Sequence, residues 1–369
     1  MKRTIYREWR LTPQHYWGLL AILAVIAGLG GLAFLYMEHE GHWVTGMSNQ
    51  IVWGTPHVFA VFLIVAASGA LNVASIGSVF GKTLYKPLAR FSGLLAIALL
   101  AGGLMVLVLD LGRPDRLVVA MTTYNFRSIF AWNIFLYTGF LGLVIAYLWS
   151  MMERKGNPYT KPVGFFAFFW RLALTLGTGS IFGFLVSRQA YDTAIMAPLF
   201  IAMSFAYGLA IFILVLLFAF HRDNRPIGDS MLFRLRNLLG IFIGAVLFFV
   251  LAYFLTKLYG AKNYDLVAFY LLDGGIYTAL FWFAWMLAGI LFPLGILFHP
   301  VPGKTILQSG FYDGVNGAVA LYTPSLPELL LGIGGVAVAL LITAVGIRML
   351  QFLPESLADQ DIDPHAAKA

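Results

Sequence analysis

Long apolar runs recur along almost the whole chain and restrict its fold more than any other feature. Each run is close to the roughly 20 residues that an α-helix needs to cross a bilayer. Nine runs are recognisable, at residues 16–37, 57–80, 91–110, 129–150, 164–187, 194–220, 237–257, 275–298 and 327–350. Only 11% of the residues are charged and 60% are hydrophobic, more apolar surface than a soluble core could hide. The sequence therefore predicts an all-α, polytopic transmembrane bundle of about nine helices.

A single integral membrane domain over residues 1–369 is expected, because no Ser/Pro-rich linker or disordered tract separates the runs. The first run follows a basic N-terminus, as a secretory signal would, but it is too long for the apolar part of a signal and lacks a clear cleavage site. We therefore interpret it as a membrane helix. Residues 1–15 then form a cytoplasmic N-terminal segment, and residues 354–369 form a polar C-terminal tail.

Lys and Arg residues are divided unevenly between alternate loops. With the N-terminus in the cytoplasm, the inward loops carry about twice as many of them as the outward loops, as the positive-inside rule requires. Topology in a lipid bilayer thus explains the net charge of +7. We expect no nucleic-acid partner.

Missing residue types limit the chemistry. The sequence has no cysteine, which excludes disulfides, protein-ligated iron–sulfur clusters and covalently attached haem. His57 is the only histidine within an apolar run, so the pair of membrane histidines that usually holds haem b is lacking. The motifs of ATP hydrolysis, zinc proteolysis and serine hydrolases are also absent. We expect no haem, no iron–sulfur cluster and no metal site in this protein, so any redox centre has to be bound in another way or belong to a partner.

Polar and ionisable residues gather at the outward ends of the second to sixth runs. Such groups are costly near hydrocarbon and usually face a bundle interior or a cavity. Imidazole, carboxylate and guanidinium groups together can hydrogen-bond a quinone carbonyl and handle its protons. The candidates for quinone binding and proton handling are His57, Asp110, Arg113, Arg127, Ser128, Arg188, Tyr191 and Asp192.

A purely structural interpretation of this cluster is equally open. Asp110 with Arg113, and Arg188 with Asp192, are spaced so that they can form local ion pairs that only set the geometry of helix ends. His57 can equally be an interfacial histidine whose ring binds a backbone carbonyl.

Three polar residues, Ser68, Asn72 and Ser75, recur at i, i+4 and i+7 in the second run and share one helical face. They are a candidate proton path, although small polar residues more often serve helix–helix packing.

Arg171 lies about two turns inside the fifth run, where it can either reach the surface or pair with a carboxylate. We interpret the aromatic residues in 165–170 as lipid-facing.

Three motifs resemble one family of membrane proteins. Leu-Asp-Leu-Gly-Arg-Pro-Asp-Arg at 109–116, followed by Asn-Phe-Arg-Ser at 125–128 and by Trp132, resembles the Asp/His-Leu-Gly-Arg-Pro pattern of the NrfD/PsrC-like family of polysulfide reductase membrane subunits. Trp-Gly-Thr-Pro-His at 53–57 is similar to the start of that family's second helix. Tyr-Thr-Pro-Ser-Leu-Pro-Glu at 322–328 resembles the branch that contains DsrP, of a sulfite-reduction-associated complex, and HybB.

This resemblance implies a quinone-binding subunit of a bacterial or archaeal cytoplasmic (inner) membrane, which uses menaquinone or ubiquinone and carries no cofactor of its own. It implies electron exchange between the membrane quinone pool and a periplasmic ferredoxin-like iron–sulfur subunit, in a respiratory or sulfur-metabolism complex. In the DsrP branch the partners would also include a multihaem cytochrome c, a haem b membrane subunit and a cytoplasmic iron–sulfur subunit.

Members of this branch usually have ten helices, whereas residues 301–323 are short and only weakly apolar, so one helix is missing from the pattern. Nine helices would place the C-terminus outside, and ten would place it inside.

Two other functions stay open. One is a secondary transporter or ion-translocating subunit that uses Asp110, Asp192 and the face of Ser68, Asn72 and Ser75 without redox chemistry, and the other is a purely structural anchor.

Overall fold

A computed structural model describes residues 4–48, 51–186, 191–275, 278–279, 281–283 and 322–362. Eight helices in these residues are long and apolar enough to cross a membrane. They confirm the prediction of an all-α, polytopic membrane protein. The run predicted at 275–298 and the weakly apolar stretch at 301–323 lie almost entirely outside the described residues.

The helices in the described residues are numbered in chain order. They are α1 (Pro13–Glu40), α2 (Thr55–Ala70), α3 (Asn72–Ser78), α4 (Ala89–Leu109), α5 (Leu117–Thr122), α6 (Ile129–Met152), α7 (Thr160–Gly183), α8 (Met196–Arg222), α9 (Asp229–Tyr259), α10 (Tyr264–Leu271), α11 (Leu326–Met349) and α12 (Asp359–Ile362). In the same residues, strand structure is confined to β1 (Tyr6–Arg7) and β2 (Leu353–Pro354). The span that combines α2 and α3 is interrupted by a turn at Leu71.

Helix α2 lies at the centre of the bundle, against α4, α7, α8 and α11. Small residues allow this close packing: a Cβ added to Gly69 would lie 1.6 Å from the carbonyl oxygen of Ser204, and one added to Gly208 would lie 2.1 Å from the backbone nitrogen of Ala70. Helices in lipid associate through such tight contacts because no hydrophobic force drives them together. The central position buries the polar residues of α2 and α3 inside protein.

Helix α1 lies at the edge of the bundle and packs mainly on α11. A Cβ added to Gly30 would lie 2.9 Å from the Cα of Gly334, so the two backbones touch at this point. The first and last described spans are therefore neighbours.

The two ends of the described chain meet at one end of the bundle. Strand β1 pairs antiparallel with β2, with Tyr6 opposite Pro354. The Arg225 guanidinium, from the loop between α8 and α9, donates to the carbonyl oxygens of Leu353 at 3.2 Å and Pro354 at 2.9 Å. We call this end of the bundle, where α1 begins and α11 ends, the terminus face. If the chain crossed the membrane nine times, its two ends would lie on opposite faces. The described ends lie on the same face, which requires an even number of membrane crossings.

The opposite end, where α1 and α4 end and α2 begins, is called the site face. Helices α6, α8 and α11 also begin at this face, and α9 ends there. The described residues of the loop between α1 and α2, 41–48 and 51–54, lie at this face. This face collects most of the polar residues singled out in the sequence.

Candidate functional site

The centre of the site face is a contact between His57 and Asp110. His57 lies in the first turn of α2, and Asp110 is the residue that caps the end of α4. His57 Nδ1 lies 2.6 Å from Asp110 Oδ2, and the two side chains are 16% and 0% exposed. Because α2 begins where α4 ends, antiparallel packing of the two helices brings the imidazole onto the carboxylate.

The Asp110 carboxylate is buried without the hydrogen bonds that usually accompany burial. The His57 ring is not aligned for a hydrogen bond along the short contact, and neither Asp110 oxygen accepts one from any described residue. A buried acceptor left in this state costs about 1–3 kcal/mol, and more when it is charged. Explanations for such a group include a catalytic role and a bound water or ion, and ionisable groups near hydrocarbon often mark proton or substrate paths.

Aromatic rings form one wall of this site. The Trp53 ring stacks near His57, with centroids 6.0 Å apart and planes inclined by 25°. Trp53 also meets Phe182 edge-on at 5.5 Å, and Phe182 contacts Tyr191 at the same distance. Tyr191 is thus linked to the site only through Phe182 and Trp53, and flat aromatic surfaces of this kind pack well against a planar ring.

A second buried carboxylate, Glu328, lies on the same face in the first turn of α11. Its side chain accepts hydrogen bonds from the backbone N–H of Ser325 at 2.7 Å and Gly46 at 3.0 Å, and from the Tyr322 hydroxyl at 2.7 Å. The backbone N–H of Thr55 donates to that hydroxyl at 2.6 Å. Burial raises the pKa of Tyr322 well above its usual range, so the hydroxyl keeps its proton. The motif at 322–328 therefore ties the start of α11 to the start of α2.

The sequence reasoning missed the role of Glu328 and also missed His42. His42 lies in the short turn that follows α1, and its Nε2 is enclosed without a hydrogen-bond partner among the described residues. The only advance signal for Glu328 was its position three residues after Ser325, which is typical of a helix capping box. His42 gave no signal, because it lies outside the apolar runs.

Arg113 does not pair with Asp110, which corrects one of the ion pairs considered above. Its guanidinium donates to both carboxylate oxygens of Asp115 at 3.0 Å, and the pair lies at the surface with side chains 63% and 60% exposed. The hydrogen bond between them raises the pKa of Arg113 and lowers that of Asp115. Asp110 points into the bundle, whereas the chain turns outward before Arg113.

The remaining candidates are spread around this face. Ser128 directly precedes α6 without a side-chain capping hydrogen bond, and Arg127 is exposed, with its backbone N–H donating to Asn125 Oδ1 at 3.1 Å. The carbonyl oxygen of Asp192 accepts a hydrogen bond from Lys257 Nζ at 2.9 Å. Arg188 lies outside the described residues. The structure brings together His57 and Asp110, places Tyr191 against Phe182 at the far end of the aromatic wall, and does not bring Arg113 or Arg127 into the buried site.

The predicted polar face of α2 and α3 surrounds Arg171 in the interior of the bundle. Arg171 Nη2 donates to Asn72 Oδ1 at 2.9 Å, and Ser68 Oγ donates to the carbonyl oxygen of Arg171 at 3.2 Å. Ser75 Oγ donates to the carbonyl oxygen of Leu71 at 3.2 Å. Arg171 is fully buried between the rings of Phe168 and Phe205, so it neither reaches the surface nor pairs with a carboxylate in the part of the chain described.

The neighbouring aromatic residues of α7 are mostly directed outward. Phe165, Phe166 and Phe169 are exposed on the bundle surface, and Trp170 is partly exposed with its indole N–H bound to the carbonyl oxygen of Leu136 at 2.9 Å. Their exposure agrees with the lipid-facing interpretation. Among the described residues, no group of three His, Asp or Glu side chains could hold a metal ion.

A bundle of membrane-spanning helices with a buried histidine–carboxylate contact near one face defines a multi-pass membrane protein with a polar site close to one membrane surface. Residues 43–307 match the family described as polysulphide reductase, NrfD. The protein belongs to this family. The match includes both His57 and Asp110, whereas the motif at 322–328 lies beyond it.

Several subunits of reductases and oxidoreductases are similar to this protein. The Hdr-like menaquinol oxidoreductase integral membrane subunit of Archaeoglobus fulgidus is 27% identical over an alignment of 391 positions, gaps included, which covers 94% of the present sequence and 96% of that protein. A selenate reductase subunit from Mesobacillus selenatarsenatis is 20% identical, covering 91% and 93%. A polysulfide reductase chain from Wolinella succinogenes is 25% identical, covering 71% and 88%.

Proposed function

We propose that this protein is the quinone-reactive membrane subunit of an electron-transfer complex, exchanging electrons between the membrane quinone pool and an iron–sulfur subunit bound at the site face. The observation that carries this proposal is the buried contact of His57 with Asp110, whose carboxylate has no aligned hydrogen bond from the described residues. The names of the relatives support it, since one is a menaquinol oxidoreductase subunit and two belong to reductases. Menaquinol is therefore the proposed substrate in preference to ubiquinol.

The residues of the site suit the chemistry of a quinol. Oxidation of a quinol to a quinone breaks two O–H bonds and releases two electrons and two protons. In this proposal His57 accepts a proton from the substrate hydroxyl, and the Asp110 carboxylate, 2.6 Å from the ring nitrogen, stabilises its charged form. Trp53 supplies an aromatic surface for the substrate ring. In quinone reduction the same groups return protons to the substrate oxygens.

The electrons have to leave through a partner. The sequence has no cysteine, so an iron–sulfur centre that accepts the electrons belongs to another subunit. With the N-terminus in the cytoplasm, as the distribution of Lys and Arg indicates, the site face is periplasmic and the partner is a periplasmic ferredoxin-like protein. The motif at 322–328 supports the DsrP-containing branch, whose further partners are a multihaem cytochrome c, a haem b membrane subunit and a cytoplasmic iron–sulfur subunit.

An ion-translocating role without redox chemistry has less support. Ser68, Asn72 and Ser75 all form hydrogen bonds to protein groups around α7 and α3. Since each of the three residues is bound to a protein group, these bonds favour a role of the face in packing over a role as a hydrated path.

The proposal is tested by purifying the intact complex through a tag on this protein. We expect the preparation to contain quinone and iron–sulfur subunits, and we expect added menaquinol to reduce the haem or iron–sulfur centres of the complex. A preparation without redox subunits, in which menaquinol reduces nothing, would reject the proposal and favour the transporter alternative.

A further inference from the structure

His42 is an enclosed titratable group that the mechanism above does not use. Its Nε2 has no hydrogen-bond partner among the described residues, although the atom is shielded from solvent. An unsatisfied polar atom of this kind lowers stability unless something binds there. The local backbone does not explain it, because the turn is held through the His42 carbonyl oxygen, which accepts hydrogen bonds from the Thr45 N–H at 3.1 Å and the Thr45 hydroxyl at 2.6 Å.

The imidazole of His42 lies beside the turn that holds Asp110. A Cβ built on Gly112 would lie 3.8 Å from His42 Nδ1 and 3.9 Å from His42 Cε1, which is van der Waals contact. Gly112 is the second residue after Asp110 in the 109–116 motif. Val44, on the same turn as His42, packs in one apolar cluster with Leu109. The turn after α1 is therefore seated against the end of α4.

The segment that carries His42 is held at a second point. The backbone N–H of Gly46 donates to Glu328 Oε2 at 3.0 Å. A Cβ on Gly46 would lie 2.2 Å from the carbonyl oxygen of Thr323, so only glycine fits there. Residues 42–46 thus cross the site face as a fixed cover between the end of α4 and the start of α11, with His42 over the Asp110 turn.

A proton released in this site has to leave an enclosed pair, since the side chain of Asp110 is fully buried and that of His57 is only 16% exposed. Histidine can accept a proton on one ring nitrogen and release one from the other, and its ordinary pKa lies close to neutral pH. His42 lies beside the turn that holds Asp110 and is only partly buried, so part of the residue reaches the surface.

We propose that His42 is the proton-exchange residue of the quinone site, an inference that rests on the proposed function. For each quinol oxidised, two electrons pass to the one-electron carriers of the partner complex. The two protons pass one after the other from the His57–Asp110 pair to His42 and from His42 to water on the site face. Quinone reduction uses the same residues in the opposite direction.

The test uses the intact complex with His42→Ala, His42→Gln and, as a matched control, His39→Ala. His39 lies at the end of α1 with a side chain 85% exposed. We expect His42→Ala to lower menaquinol-driven reduction of the complex by at least about tenfold, to leave KM for menaquinol unchanged, and to recover when free imidazole is added. His42→Gln should be slow with unchanged KM, and His39→Ala should behave like the wild type.

Three outcomes overturn the inference. They are an unchanged rate in both His42 variants, a rate loss in His42→Ala that imidazole does not restore, and a rise in KM that accounts for the loss. The proposed function is tested separately by the wild-type complex and by His57→Ala. If the wild-type complex does not oxidise menaquinol, the proposed function fails, whereas a functional wild type with unaffected His42 variants rejects only the role of His42.

Discussion

The hydroxyl of Tyr322 lies 2.6 Å from the backbone nitrogen of Thr55 and 2.7 Å from Glu328 Oε1, so one side chain joins the first turn of α2 to the first turn of α11. Thr55, which donates to this hydroxyl, lies two residues before His57 in the sequence. The contact therefore fixes the backbone that carries the candidate site.

Tyr322→Phe should destabilise the protein, because it leaves the Thr55 N–H and one oxygen of buried Glu328 without their partner. The expected loss is about 1–3 kcal/mol, measured as a lower thermal midpoint of the purified complex in detergent. Tyr159→Phe is the matched control, since Tyr159 is 64% exposed. Equal thermal midpoints for the two variants would show that the hydrogen bonds of the Tyr322 hydroxyl do not stabilise the protein.

His57→Ala and Asp110→Asn should both reduce menaquinol-dependent reduction of the partner centres while the complex still assembles. Each change removes a donor or a charge with little effect on the fold, and general acid–base groups typically contribute about 10²–10⁴-fold. The rate is normalised to assembled complex. Unchanged turnover in both variants would favour the interpretation that the pair only sets the geometry of helix ends.

Arg113→Ala should leave assembly unchanged, because its partner is Asp115 at the exposed surface and not Asp110 in the bundle. Exposed ion pairs contribute little to stability. The yield of complex and its thermal midpoint are the measurements, with Asp115→Asn as the companion variant. A marked loss of assembly in Arg113→Ala alone would mean that the guanidinium supports the buried carboxylate after all.

Asn72→Leu should destabilise the protein more than Arg171→Met does. The first change strips the buried guanidinium of its hydrogen bond to Asn72 Oδ1, and hydrogen bonds to charged groups contribute about 1.5–3 kcal/mol. The second removes the buried charge itself, which is often tolerated when packing is kept. Thermal midpoints of both variants and of the double variant decide this. A larger loss in Arg171→Met would show that the charge has a role beyond packing.

The orientation can be tested with topology reporters. A reporter fused after Arg154 should be cytoplasmic and one placed in the loop at 41–48 should be periplasmic, because of the distribution of Lys and Arg. A reporter fused after Ile362 should lie on the same side as the N-terminus, since β1 pairs with β2. Reversed signals would move the proposed site to the cytoplasmic side, and a periplasmic signal after Ile362 would contradict the strand pairing.

The sequence was informative where the controlling physics is local. Helix α8 at Met196–Arg222 and α11 at Leu326–Met349 coincide closely with the predicted runs at 194–220 and 327–350, because the length of an apolar run is set by bilayer thickness alone. The sequence also placed His57 and Asp110 at the same membrane surface, since alternate spans run in opposite directions.

The sequence did not show in the same way which charged side chains contact one another. The spacing of Asp110 and Arg113 suggested an ion pair, but the structure pairs Asp110 with His57 and Arg113 with Asp115. Several charged groups lie close to each carboxylate in the sequence. The one that forms the ion pair is decided by the direction in which each side chain leaves the backbone at a helix end. That direction is decided by how the helices pack.

What the sequence alone determined is the membrane bundle, its family and the surface on which polar residues collect, because hydrophobic length, residue type and short motifs are properties of contiguous residues. Only the tertiary structure decided that Glu328 is buried against Gly46, that His42 covers the Asp110 turn, and that Arg171 is enclosed beside Asn72. Each of these contacts joins segments distant in sequence. Their energies depend on burial and alignment, which arise only when the helices come together.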